Sequence, residues 1–174
     1  MPANRKVYII GFMGSGKTTA GRKLASALEW SFTDLDEEIE KEQKKSIEKI
    51  FTESGEKHFR ILEYEALRNL ESARNIVIST GGGAPCYHGN IDFMKKTGIV
   101  IYLKMSVAEI IRRLEGQQDS RPLVKGLEGD KLIEYIETKL TEREPYYNQA
   151  GITENGSDPD IARLVDRIKE NLTK

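Results

Sequence analysis

One stretch limits the folds open to this chain: Gly11-Phe12-Met13-Gly14-Ser15-Gly16-Lys17-Thr18-Thr19, set between the largely apolar run Arg5–Ile10 and a helical repeat. It fits the pattern G-x-x-x-x-G-K-[ST] of a phosphate-binding loop. Its glycines let backbone amides turn inward onto anionic oxygens, where a Cβ would obstruct. The helix that follows directs its positive end at the same point. In that setting Lys17 would reach the β- and γ-phosphates of a nucleotide and the Thr18 hydroxyl would bind Mg²⁺. Gly14, Ser15, Gly16 and Thr19 complete the ATP cradle. The competing reading, a chance glycine-rich turn, does not require the strand before and the helix after that this sequence supplies.

A loop of this kind needs a parallel sheet behind it, and the chain is long enough to build one. Its 174 residues suit a single domain spanning 1–174, with 38% apolar and 32% charged residues. The net charge of −1 offers no general attraction for nucleic acid. The longest apolar runs, such as Ile99–Leu103, are too short to cross a bilayer. Residues 4–12 set basic side chains before an apolar run, as a leader would, but the run breaks directly into the loop, so a strand is expected there. One cysteine, Cys86, rules out an internal disulfide and suits a reducing cytoplasm. Cys86 reads as a small packing residue and Trp30 as another, and His58 and His88 have no metal-ligand spacing.

Strand and helix alternate along the chain. Ala20, Leu24, Ala27 and Leu28 predict a helix after the loop, and Ser31–Thr33 a short second strand. Residues 37–52 predict one or two short helices, and Phe59, Leu62, Ala66, Leu67 and Leu70 another stripe. Asn75–Thr80 and Gly98–Leu103 read as strands three and four, and Ser106 with Glu109 as a capping box. Residues 116–129 read as an exposed loop. A helix from about Asp130 to Glu144 is expected to stop at Pro145. Gly151–Glu154 is a weak fifth strand, and Asp158-Pro159 is expected to cap a last helix burying Ile161, Leu164, Val165, Ile168 and Leu172. Such alternation implies a parallel sheet covered on both faces, with ligands beyond the strands' carboxyl ends.

Three further features fall at those ends. Asp34 and Asp36 flank Leu35 after strand two. Near a phosphate loop they fit a carboxylate beside Mg²⁺ and one that accepts a hydroxyl proton, and equally a solvated helix start. Gly81-Gly82-Gly83 allows close backbone approach to a ligand, or simply a tight turn. Strand three offers no aspartate of its own to the metal, which leaves Asp34 as the nearest candidate. Arg60, with Glu63 three residues on, Arg121 before Pro122, and Arg143 before Pro145 are surface charges or the two-pronged holders of an anionic substrate.

Taken together, these pieces resemble the shikimate kinase family over nearly the whole chain. The residues that carry the resemblance are Gly11–Thr19, Asp34-Leu35-Asp36, Gly55-Glu56 with Phe59-Arg60 and Glu63, Thr80–Gly83, Arg121-Pro122-Leu123, and Arg143 with Pro145 and Tyr147. The resemblance implies an α/β fold like that of nucleoside monophosphate kinases: a five-stranded parallel sheet ordered 2-3-1-4-5 and flanked by helices. It implies a substrate-binding region at about 34–63 and a lid at about 114–129. The implied reaction is Mg²⁺-dependent transfer of the ATP γ-phosphate to the 3-hydroxyl of shikimate, in aromatic amino-acid biosynthesis, by a cytoplasmic monomer. By position, Asp34 would support Mg²⁺ with Thr18, and Asp36 would hold the hydroxyl as base. Arg60, braced by Glu63, and Arg143 would clamp the carboxylate. Phe51, Phe59, Gly81, Gly82, Gly83 and Pro122 would line the substrate, Arg121 would swing over the phosphates, and Arg113 would stack on adenine. The adenine-contacting stretch near Asn155–Pro159 departs from the family pattern, and so does the spacing between Arg113 and Arg121. A gluconate-type kinase shares the loop without requiring Arg60, Arg143 and the glycine triplet. A silent nucleotide-binding regulatory module would predict erosion of Asp36, Arg60 or Arg121.

Overall fold

A computed structural model describes residues 5–173, so residues 1–4 and 174 of the expected domain, including the first residue of the leader-like run 4–12, lie outside the described residues. Five strands form one parallel sheet: β1 (Lys6–Ile10), β2 (Ser31–Asp34), β3 (Ile76–Ser79), β4 (Ile99–Lys104) and β5 (Ile152–Asn155). Their order is β2-β3-β1-β4-β5, as the family resemblance implies. The alternation along β1 decides the layers. Val7 and Ile9 pack with Ala20 and Leu24 of α1 (Lys17–Leu28) and with Leu164 and Ile168 of α7 (Ile161–Leu172). Tyr8 and Ile10 face the other layer, made of α2 (Leu35–Gln43), α3 (Ile47–Asn69), α4 (Asn90–Thr97), α5 (Val107–Leu114) and α6 (Gly129–Tyr147). With both faces covered, the strands can be apolar throughout, which is why β1 shows no polar alternation.

Several boundaries differ from expectation, each for a local reason. In α1 it is Ala25, not Ala27, that is buried, because residues four and five after Ala20 face the sheet. α3 is one long element bent at Gly55, whose φ of 79° and ψ of 170° break the helix and fold its two arms toward each other. α6 does not stop at Pro145 but runs to Tyr147. The proline forfeits only the bond its own nitrogen would make to Thr141, and the Asn148 amide closes the last turn on the Glu144 carbonyl at 2.8 Å. The cap of α7 is Asp160 rather than Asp158-Pro159, its side chain accepting from the Arg163 amide at 3.0 Å. The stretch 116–129 contains two short 3₁₀ turns, Gln118–Ser120 and Pro122–Val124, and Val124 is fully buried, so it is a folded flap rather than an open loop. Among the described residues, no helix is long and apolar enough to cross a membrane.

Candidate active site

Two adjoining cavities open beyond the carboxyl ends of β1, β2 and β3. The first, about 640 Å³, is lined by Gly14, Gly16, Lys17, Thr18 and Thr19. The second, about 390 Å³, is lined by Phe51, Phe59, Arg60, Glu63, Gly83, Pro122 and Arg143. Met13, Asp36, Gly81, Gly82 and Arg121 line both, so all but Met13 of the boundary between the cavities is made of expected site residues.

The phosphate side is built mainly from the turn between β1 and α1. Gly16, the N-cap of α1, sits at φ 78°, a left-handed conformation that costs glycine nothing. Lys17 curls back, its Nζ donating to the Gly11 and Phe12 carbonyls at 2.9 Å each. Burial pulls its pKa down to about 8, against the pull of Asp36. Ser15 lies behind the loop rather than in the cavity: it is fully buried and its amide donates to the Phe12 carbonyl. Asp34 answers both readings offered by the sequence. Its Oδ1 caps α2 by accepting from the Asp36 and Glu37 amides, while its Oδ2 accepts from the Thr18 hydroxyl at 2.7 Å. Ser79 of β3 pairs in register with Asp34, so the carboxylate enters from one strand over. One hydroxyl and one carboxylate oxygen, both hard donors, suit Mg²⁺, which takes its remaining ligands from water and phosphate. Arg113 reaches across to the loop, donating to the Gly14 carbonyl at 3.3 Å and to the Gly156 and Ser157 carbonyls at 3.5 and 3.4 Å. It also lines a side pocket of about 220 Å³ with Gly16, Thr19, Gly156 and Pro159.

The acceptor side is built from buried side chains. The bend at Gly55 brings the Phe51 and Phe59 rings to 4.8 Å between centroids, one wall of the cavity. Arg60 is 3% exposed. It donates to Glu63 Oε2 at 2.7 Å and to Glu56 Oε1 at 2.9 Å, and lies over the Tyr87 ring. Burial pushes Glu63 upward, opposed by Arg60. Arg143 is 4% exposed, and its Nη1 is buried with no partner among the described residues. The glycine triplet leaves room that side chains would take. A Cβ on Gly81 would lie 2.7 Å from Glu63 Oε1 and 3.1 Å from Asp36 Oδ1, and one on Gly83 would lie 2.5 Å from the Arg60 guanidinium. The triplet is therefore a point of close approach as well as a turn.

Asp36 sits between the two sides. Burial first, then the neighbouring Asp34, lifts its pKa to about 6, and its Oδ1 is buried without a partner. A carboxylate in that state takes a proton readily near neutral pH. Arg121 enters from the flap. Burial lowers its pKa while Asp36 opposes the shift, and its Nε is buried without a partner. The structure thus brings together every expected site residue except Ser15, which faces away. Sequence reasoning missed Met13, which lines both cavities, Glu56 as a second carboxylate on Arg60, and Ile47 and Leu123 on the acceptor wall. Glu56 lies four residues before Arg60, a helical pairing distance, and both follow the bend at Gly55 on the same arm of α3. Met13 and Leu123 stand inside quoted motifs without a role assigned to them, and Ile47 carries no signal short of the fold.

The shikimate kinase family model matches residues 13–173. A shikimate kinase from Parabacteroides distasonis is 43% identical over 149 residues, 86% of each chain. The crystal structure of shikimate kinase from Bacteroides thetaiotaomicron superposes with a TM-score of 0.86 at 38% identity, over 97% of this chain and 98% of that one. Shikimate kinase from Acinetobacter baumannii in complex with shikimate gives a TM-score of 0.85 at 34% identity, over 97% and 93% of the two chains.

Proposed function

The chain belongs to the shikimate kinase family, and on that footing we propose that Asp36 takes the proton of the shikimate 3-hydroxyl while Arg60 and Arg143 hold the carboxylate. It is an ATP-dependent small-molecule kinase, and its reaction yields shikimate 3-phosphate and ADP. The observation that supports this division of roles is the junction of the two cavities. Asp36, with a raised pKa, stands where the hydroxyl of a substrate held through its carboxylate by the two arginines would meet a phosphate held by the loop.

The amides of Gly14, Gly16, Lys17 and Thr18 and the Lys17 ammonium hold the β- and γ-phosphates, which requires Lys17 to exchange its loop carbonyls for phosphate oxygens. Thr18 and Asp34 would hold Mg²⁺, which when bound draws negative charge off the transferring phosphoryl group. Arg121 lays its guanidinium over the same group, and the flap that carries it keeps water out. Adenine lies in the side pocket between Arg113 and Pro159. A monomer is the state that the family resemblance implies, and the one half-buried cysteine fits a reducing cytoplasm.

The test is ADP release measured with shikimate and with gluconate side by side. Rapid release with shikimate alone is expected. Equal or faster release with gluconate would move the chain to a sugar-acid kinase role, and none with either would leave a nucleotide-binding module.

A further inference from the structure

Arg60 and Arg143 are both deeply buried in the acceptor cavity, yet they are held in opposite ways. Arg60 is fixed by two carboxylates, Glu56 and Glu63. Arg143 has no carboxylate within ion-pair distance among the described residues, and its Nη1 is unpartnered. An unanchored arginine would sample many rotamers and lose entropy on binding an anion. The groups in contact with Arg143 are neutral, while Glu63 of the same cavity acts on it from beyond ion-pair distance. The Phe12 ring lies 5.2 Å from its guanidinium carbon, and a Cβ on Gly82 would lie 3.3 Å from Nη1. The third neighbour is the hydroxyl of Tyr147, one helical turn beyond Arg143 on α6, which its bond to the Gly82 carbonyl sets beside the guanidinium.

We propose that Tyr147 is a positioning residue that holds Arg143 against the glycine triplet without neutralising it. The Tyr147 hydroxyl donates to the Gly82 carbonyl and so ties the last turn of α6 to the floor of the acceptor cavity. Its oxygen keeps lone pairs with which to accept from Arg143. The ring is fully buried and packs on Tyr102 with centroids 5.0 Å apart, so the hydroxyl is fixed from behind. Burial raises the phenol's pKa well above its ordinary value, and it stays neutral at any working pH. A carboxylate in this place would orient Arg143 equally well but would compete with the substrate's own carboxylate for its charge. A phenol gives the orientation and leaves the charge whole. The two arginines then divide the work: Arg60 is rigid and partly neutralised, and Arg143 is rigid and fully charged.

This inference rests on the reading that Arg143 binds the substrate carboxylate, and the test separates the two. Tyr147→Phe keeps the ring and its contact with Tyr102. It should raise the shikimate KM roughly tenfold, with kcat and the ATP KM within about twofold. With shikimate methyl ester, whose carboxylate charge is gone, the variant and the parent should match within about twofold. A merely structural tyrosine would instead lower both substrates' turnover together, and that result overturns the proposal. In an Arg143→Ala background, Tyr147→Phe should add little. If Arg143→Ala raises the shikimate KM and Tyr147→Phe does not, the positioning role fails and the carboxylate assignment stands. If Arg143→Ala leaves KM unchanged, the carboxylate assignment itself fails and the positioning role falls with it.

Discussion

The phosphate cavity owes its shape mostly to main chain, and the acceptor cavity mostly to buried side chains. The first is a single turn between β1 and α1, where amides and one lysine do the holding. The second draws Phe51 and Arg60 from the two arms of α3, Gly81–Gly83 from the end of β3, Arg143 from α6 and Pro122 from the flap. A backbone site is local, tolerant of what lies behind it and shared by many chemistries. A side-chain site assembled from distant segments depends on the whole fold and can select one acceptor. Asp36 and Arg121 belong to both, so substitutions there should damage turnover most, and substitutions confined to one side should separate the two substrates.

Asp36→Asn should have the largest effect. The amide cannot accept the hydroxyl proton, and kcat should fall on the order of 10³-fold, while ATP binding, made by an untouched turn, stays within about twofold. The pH profile sharpens the same point. The base works only when ionised, and with a pKa of about 6 it gains protons as the pH falls. In the parent, kcat/KM for shikimate should drop about tenfold per unit below that value and level off above it. A flat acid limb, or undiminished kcat in Asp36→Asn, would remove Asp36 from its role.

Arg121→Ala comes next. It removes a donor aimed at charge that develops during transfer, and should lower kcat by roughly 10²-fold while the shikimate Kd without nucleotide changes little. Equal losses in both would mean that the flap arginine serves ground-state binding.

Arg60 and Arg143 differ in how they are held, Arg60 by two carboxylates and Arg143 by none among the described residues. Lysine cannot make two parallel bonds, so Arg60→Lys and Arg143→Lys should each raise the shikimate KM by about ten- to a hundredfold and leave the ATP KM nearly unchanged. Their stabilities should differ. Arg60→Lys leaves the fully buried Glu63 and its neighbour Glu56 with a poorer partner, so Tm should fall clearly. Arg143→Lys breaks no ion pair, and Tm should barely move. Matching drops in Tm would show that Arg143 has a hidden anionic partner.

The same contrast explains what could be read from the chain before it was folded. The loop from Gly11 to Thr19 announces itself because its chemistry lies within nine consecutive residues and its neighbours. Asp34 and Asp36 were legible as a pair, but only the fold shows that Asp34 caps a helix and accepts from the Thr18 hydroxyl at once. Ser15 fits the motif yet points away, because a pattern records residue types and not directions. Tyr147 and Glu56 were present in the family pattern without a role, since each acts on a group that the fold brings to it. The misplaced end of α6 has the same origin. Pro145 is a strong local stop signal, overridden where Tyr147 is anchored to Gly82 and Tyr102. The cap of α7 fell two residues late because Asp158 and Asp160 offer equal local chemistry, and only packing chooses between them.

The smallest predicted effect concerns the seam between the two regions. Lys125, just past the flap's second turn, pairs with Glu48 at the start of α3, next to the acceptor wall. Both side chains are about half exposed, so water and salt screen the pair. Val124 beside it is fully buried and supplies most of the flap's hold. Lys125→Ala should therefore shift the shikimate KM by only about twofold, and less at high salt. Glu48→Lys sets two cations face to face and should shift it further, while Glu48→Lys combined with Lys125→Glu restores the parent value. If the reversed pair stays impaired, the flap is held by Val124 alone and charge at the seam has no part in closing it over shikimate.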